Sequence, residues 1–188
     1  MLNFISRLHS VTILDSNMPF YTATTARALT TLAATIGLLV LLFIPSSVQA
    51  QSEEEEAVVA AVQHLFDAMA VRDTLAARAV LLPEGRFYSI RDTDDGPRVG
   101  SSTHREFLDQ LSTPGADWLE RLWNPTVLIH GRMAVVWAEY DFHRDGAFSH
   151  CGVDAFSLFK TADGWKIAGT TYTVEPTGCE ESPLGPPK

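Results

Sequence analysis

Trp137-Ala-Glu-Tyr-Asp-Phe-His-Arg-Asp-Gly-Ala-Phe-Ser-His-Cys-Gly-Val-Asp-Ala-Phe156 decides how the rest of the chain is read. Asp145-Gly146 stands between two alternating runs, the strongest short-range signal for a hairpin closed by a two-residue turn. With those residues as the loop, Arg144 faces Ala147. Counting back without interruption, Asp141 faces His150, Glu139 faces Gly152 and Trp137 faces Asp154. Side chains alternate along a strand. One face therefore carries Trp137, Glu139, Asp141, His150, Asp154 and Phe156, and the other Ala138, Tyr140, Phe142, Cys151, Val153 and Ala155. Three acids and a histidine on an otherwise apolar face demand a partner or a purpose.

The flanking sequence extends the sheet. Asp163-Gly164 is a second two-residue turn, and Trp165 to Val174 reads as the last strand. An unbroken register sets Phe156 opposite Thr171 and Asp154 opposite Thr173, so Thr171 and Thr173 join the acidic face. Upstream, His130-Gly131 is a turn, and Trp118 to Ile129 is a strand interrupted at Pro125. Proline cannot donate to a ladder, so it marks an edge or a bulge.

Before residue 118 the periodicity is mostly helical. Ser52 with Glu55 forms a capping-box pattern, and the glutamates around them read as a solvated helix start. Val58, Val62, Leu65 and Met69 follow as a core stripe. Asp73 caps a short helix from Thr74 to Leu82, which Pro83 and Gly85 stop. Gly85 to Arg91 reads as a strand, with Arg98 to Gly100 as a short return. Thr103 with Glu106 is a second capping box, opening a helix through about Leu111. Helices segregated from a run of antiparallel strands indicate the α+β class.

The 188 residues carry a net charge of −9, and the basic residues form no run or stripe, so nucleic acid is not an expected partner. Residues 1–50 read as a secretory leader. Leu32 to Ile44 is apolar apart from Thr35 and Gly37 and short for a membrane span. Arg27 precedes it, and Val48 and Ala50 suit cleavage after Ala50. The stretch is long for a leader, which makes Met18 a candidate start, and an uncleaved anchor is the alternative. The expected location is periplasmic or secreted, with membrane contact only through this segment. Residues 51–180 form the domain, and the Pro- and Glu-containing tail, 181–188, is expected to be disordered. In an oxidising compartment Cys151 and Cys179 are expected to pair, because the register brings Cys151 near Pro176. Two free thiols or a metal pair are the alternatives.

The order of elements, Trp137 to Phe142, His150 to Phe156 and the ending Asp163-Gly-Trp-Lys-Ile167 resemble the nuclear transport factor 2-like superfamily, also called SnoaL-like or cystatin-like. The resemblance covers about residues 53–175. It is similar to small bacterial exported members, including those labelled lumazine-binding. The resemblance implies a curved sheet wrapped around a helix into a cone with an internal pocket. Relatives include isomerases, dehydratases and cyclases as well as non-catalytic partners, so it does not by itself assign an activity.

The acidic face supplies the candidate site. Directly opposed residues bring their β-carbons within about 5 Å, so Asp141 and His150 are candidates for a hydrogen-bonded acid–base pair. The alternative is an exposed pair that only fastens the turn. Asp154, deeper in the sheet, is the candidate for a carboxyl perturbed by burial, unless Thr173, a backbone amide or Arg105 satisfies it. Trp137, Glu139, Phe156, Thr173 and Tyr88 are expected to contact a ligand, with Trp118 and Trp123 as further pocket-lining aromatics. No metal or other cofactor is expected, because no set of three well-spaced ligands is visible. Three readings follow. They are an exported domain that binds a small apolar or aromatic molecule, a cofactor-independent isomerase or dehydratase, and a non-catalytic dimerisation module. Strands apolar on both faces favour a homodimer through the outer sheet face.

Overall fold

The computed structural model describes residues 46–187, with side chains from residue 51 onward. Residues 1–45 of the leader, Met18 included, lie outside the described residues. Ala50, the expected cleavage position, falls inside the first helix, α1 (Ser46–Ala70). That helix starts before Ser52, so the Ser52–Glu55 pattern is not its cap. Glu54 accepts from Lys160 and from Trp165 Nε1 at 3.2 Å, which fastens the helix to the far end of the sheet.

The second helix, α2 (Thr74–Val80), has the expected Asp73 cap, whose carboxylate accepts from the amides of Leu75 and Ala76. It ends two residues earlier than expected because Leu81 already pairs with the sheet. The strands are β1 (Leu81–Thr93), β2 (Gly96–Thr103), β3 (Trp118–His130), β4 (Met133–Arg144), β5 (Ala147–Thr161) and β6 (Gly164–Thr173). Between β2 and β3 lies α3 (His104–Ser112), opened by the complete Thr103–Glu106 capping box.

The sheet has six strands in the order β2-β1-β6-β5-β4-β3, curved and mixed rather than wholly antiparallel, because β1 runs parallel to β6. The helices pack on its concave face, where Val58, Val62 and Leu65 of α1 share a core with Val136, Phe156, Leu158 and Ile167 of the sheet, all at most 1% exposed. Cys151 and Cys179 form a disulfide.

Two bulges decide which side chains face inward. Asp145 and Gly146 form the β4–β5 turn with φ of 51° and 75°, the left-handed pair that such hairpins need. Arg144 does face Ala147, but Ser149 is then left unpaired and His150 falls opposite Phe142. A one-residue slip moves every later side chain to the other face. Tyr140, Phe142, His150, Asp154 and Phe156 therefore share the concave face, while Trp137, Glu139, Asp141 and Cys151 share the outer one. The β5–β6 turn uses Ala162-Asp163, with Thr161 opposite Gly164, and Ala168 is a second extra residue. Asp154 consequently faces Tyr172, not Thr173, and Thr170 faces Phe156. The slip is driven by burial: this register puts Leu158, Phe156 and Ile167 against the helices.

Candidate functional site

The concave face encloses a cavity of about 210 Å³ between sheet, α1 and α3. Phe66 and Met69 come from α1, Phe107 and Gln110 from α3, and Phe87, Trp118, Phe142, Phe156 and Tyr172 from the strands. The aromatics interlock: Phe66 meets Phe156 at 6.0 Å between centroids and Phe107 meets Phe87 at 4.9 Å.

Two carboxyl groups stand in this apolar surround. Asp154, 1% exposed, comes from β5, and Glu120 comes from β3, where it pairs with inward-facing Phe142. Each acid shifts the ionisation of the other, and a hydrogen bond between them forms only when at least one carries a proton. Asp154 Oδ2 has no hydrogen-bond partner among the described residues. Burial pushes the Asp154 carboxyl up to about 8, offset in part by the hydrogen bond from Glu120. Burial, then the neighbouring charge of Asp154, holds Glu120 well above the ordinary carboxylate range. Two like charges this close in a desolvated site cannot both ionise cheaply. The pair therefore holds a proton at neutral pH, with both carboxyls raised above the ordinary range.

The remaining polar groups are tyrosines, a threonine and a histidine. Tyr140, 1% exposed, donates from Oη to the carbonyl of Thr173 at 2.7 Å, and burial raises its pKa. Gly152 leaves space for that carbonyl, since a β-carbon there would lie 2.4 Å from Thr173 O. Burial likewise raises Tyr172. His150 stacks on Phe142 at 5.0 Å, and its Nδ1 lies 3.1 Å from Ser149 Oγ. Its pKa is lowered by burial first, then by the charges of Arg91 and Arg144.

No protein-family model and no curated protein matches the chain. Solved structures do. A nuclear transport factor 2-like superfamily protein from Salmonella enterica superposes with a TM-score of 0.54 at 13% identity, over 69% of this chain and 96% of that one. A cystatin-like-fold protein of unknown function from Nostoc punctiforme gives 0.52 at 10% identity, over 69% and 94%. A protein of unknown function from Mycobacterium tuberculosis gives 0.56 at 12%, over 74% and 79%. The chain has the nuclear transport factor 2-like, cystatin-like fold. At these identities the likeness is one of fold, and the site must be read from its own residues.

Within this nuclear transport factor 2-like cone, the expected site residues divide. Asp154, His150 and Phe156 line the cavity, as does Trp118. Asp141 does not meet His150. It lies on the outer face, accepting from Arg121 Nε at 2.9 Å, with His143 Nε2 3.3 Å from its Oδ1. Burial pushes Asp141 up, but the Arg121 hydrogen bond and charge, with His143, outweigh it and leave its carboxyl below the usual value. Asp141 is thus half of a buried ion pair. Trp137, 56% exposed, Tyr88 and Glu139 also face outward, and Glu139 accepts from Asn124 at 3.3 Å. Thr173 serves the backbone, accepting from the Val153 amide and donating to Glu175. The corrections on β4 follow from the Ser149 bulge and that of Thr173 from the β5–β6 register, while Tyr88 faces outward from β1 beside Thr171. Glu120, Tyr140, Tyr172 and Thr170 enter the site unanticipated. For Glu120 the signal was Pro125, because the break there inverts the faces of the strand before it.

Proposed function

We propose that this domain binds one small apolar or aromatic molecule in the concave cavity, with a polar atom of that molecule against the Glu120–Asp154 pair. The carrying observation is that pair: two carboxyls among phenyl and indole rings, with Asp154 Oδ2 left without a hydrogen-bond partner among the described residues. A buried polar group without a partner is costly, and a ligand atom that accepts the shared proton would offset that cost. We further propose that the protein works outside the reducing cytosol. The Cys151–Cys179 bond, the apolar run Leu32 to Ile44 and the absence of a membrane-crossing helix among the described residues support this reading.

Native mass spectrometry tests the binding. The exported protein should carry one small molecule per cavity, released on denaturation. Gln110→Trp, which extends an indole from α3 toward the cavity, should reduce its occupancy. Protein that arrives empty and shows no thermal shift with any aromatic fragment would reject the proposal.

A second reading, a cofactor-independent isomerase or dehydratase, is supported by the two raised carboxyls in one cavity. Asp154 would take a proton from a carbon beside a carbonyl, and Glu120 would donate to that carbonyl. Asp154→Asn separates the readings, since binding alone survives it and turnover does not.

We also propose a homodimer through the outer sheet face. Tyr88, Ile90, Val99 and Trp137 are 42–66% exposed and line one shallow apolar groove there. Sedimentation should give twice the monomer mass, with Trp137→Glu shifting the protein to monomer. A monomeric wild-type protein at about 100 μM would reject it, a concentration far above the micromolar dissociation constants of even weak interfaces.

A further inference from the structure

The cavity is charged unevenly. Its inner end holds Glu120 and Asp154, and its mouth adjoins a hollow lined by Arg91, Arg144, Ser149, His150, Gln110 and Trp118. Gln110, Trp118, Phe142 and His150 line both spaces, so the hollow is the vestibule of the cavity. Arg91 comes from the end of β1, next to Tyr172 and His150, whose ionisation its charge affects. Arg144 comes from the end of β4, two residues beyond Phe142. Neither arginine makes an ion pair among the described residues, although three other ion pairs are formed. What sets these two apart is that both guanidinium groups border the same hollow beside the cavity. Guanidinium is the side chain best matched to a carboxylate.

We infer that the ligand is an aryl carboxylate, its ring among the aromatic walls, its polar inner end at Glu120 and Asp154, and its carboxylate between Arg91 and Arg144. This rests on the reading that the cavity binds a small molecule. An apolar cavity of roughly 150 Å³ accommodates benzene, so about 210 Å³ takes one substituted ring. A chain of one to three carbons then reaches the vestibule. The polarity is fixed by chemistry. An anion at the inner end would face two acids in a dry site, whereas at the mouth it meets two cations. His150, kept neutral by burial and by the arginines, adds a hydrogen bond there without a charge of its own.

The test is a panel of one-ring aryl carboxylates from benzoate to 3-(4-hydroxyphenyl)propanoate, each paired with its primary amide, followed by tryptophan fluorescence and saturation-transfer NMR. Wild-type protein should prefer the acid to its amide by about tenfold at low salt, the sum of two partly screened charge contacts. The preference should shrink as salt is raised. The double variant Arg91→Gln/Arg144→Gln, at exposed positions and checked by thermal melting, should bind the amide as wild type does and lose the preference. Equal binding of acid and amide, or a preference that survives in the double variant, would overturn the carboxylate assignment and leave the cavity reading intact. Failure of every acid and every amide to bind would overturn both.

Discussion

Asp154→Asn is expected to make the protein more stable at pH 7 than wild type, by an amount that grows as pH rises. The ordinary carboxyl pKa of Asp154 is 3.8, and in the fold burial raises it to about 8. A group whose folded pKa is raised binds its proton more tightly in the native state. Its contribution is complete below about pH 4 and is lost as pH rises toward 8. The slope between those limits approaches about 1.4 kcal/mol per pH unit, so the accumulated loss at pH 7 is on the order of 4 kcal/mol. Asparagine cannot ionise, and its amide can still donate to Glu120. A constant cost for altering the pair is expected, but the pH-dependent penalty disappears. Other groups slope the opposite way. His104 and His150 are depressed by burial, so they favour the fold increasingly as pH rises through the ordinary histidine value. Asp141 and Glu106 lose their contributions only in acid. The informative quantity is therefore the difference between variant and wild type, measured by urea denaturation from pH 4 to 8. A difference that climbs steadily in favour of asparagine confirms a proton-bearing Asp154. Parallel curves would mean that Asp154 ionises normally, and with it would fall the acid–base role of the pair.

That carboxyl pair also measures how far the sequence alone could be read. The helix caps at Asp73 and Thr103, the Asp145-Gly146 turn and the break at Pro125 were all legible, because each is a local rule with a local cause. What was not legible was parity. Ser149 and Ala168 carry no glycine or proline to mark a bulge, and the choice between registers is made by distant burial. Val136, Phe156 and Leu158 reach the helices only when β5 slips by one residue against β4. That slip sent Asp141, Glu139 and Trp137 outward and kept Asp154 in the same cavity as His150. Glu120 was within reach. Asn124, with φ 49°, and Pro125 form the bulge of β3. Counting across it puts Trp118, Glu120 and Leu122 on the same face as Val127 and Ile129. The expected bulge, applied to the residues on both its sides, places a second acid inside.

The bulges therefore have an electrostatic consequence beyond curvature. A regular β4–β5 ladder would gather Asp141, His150 and Asp154 on one face, where Arg121 and His143 could neutralise the acids. The Ser149 slip separates the set. The outer acid receives an arginine and a histidine, and the inner acid receives only another acid. One carboxylate is stabilised as an ion, and burial raises the pKa of the other. Removing either bulge by deletion would mix the two environments.

The second large effect concerns the disulfide. Replacing both Cys151 and Cys179 by serine is expected to lower stability by about 3 kcal/mol and the melting temperature by roughly 10 °C. The bond closes a loop with a sequence separation of 28 residues, spanning most of β5 and all of β6. Chain-entropy treatment of such a loop gives about 3–4 kcal/mol, acting through the unfolded state. The lower figure is expected because the folded state also relaxes. Beyond Glu175, which exchanges two backbone hydrogen bonds with Cys151, the tail touches the sheet through the disulfide and through Arg121 Nη1 donating to Gly185 O at 2.8 Å. Without the bond, residues 176–187 gain freedom in the native state, offsetting part of the loss. Arg121 keeps both of its hydrogen bonds to Asp141, so the outer ion pair should persist. Amide exchange should accordingly rise in the tail and stay slow in β4 and β5. A melting temperature within about 3 °C of wild type, less than one kcal/mol for a domain of this size, would show that the unfolded chain is not constrained by the bond. Rapid exchange spreading into β5 would show instead that the bond holds the sheet itself together.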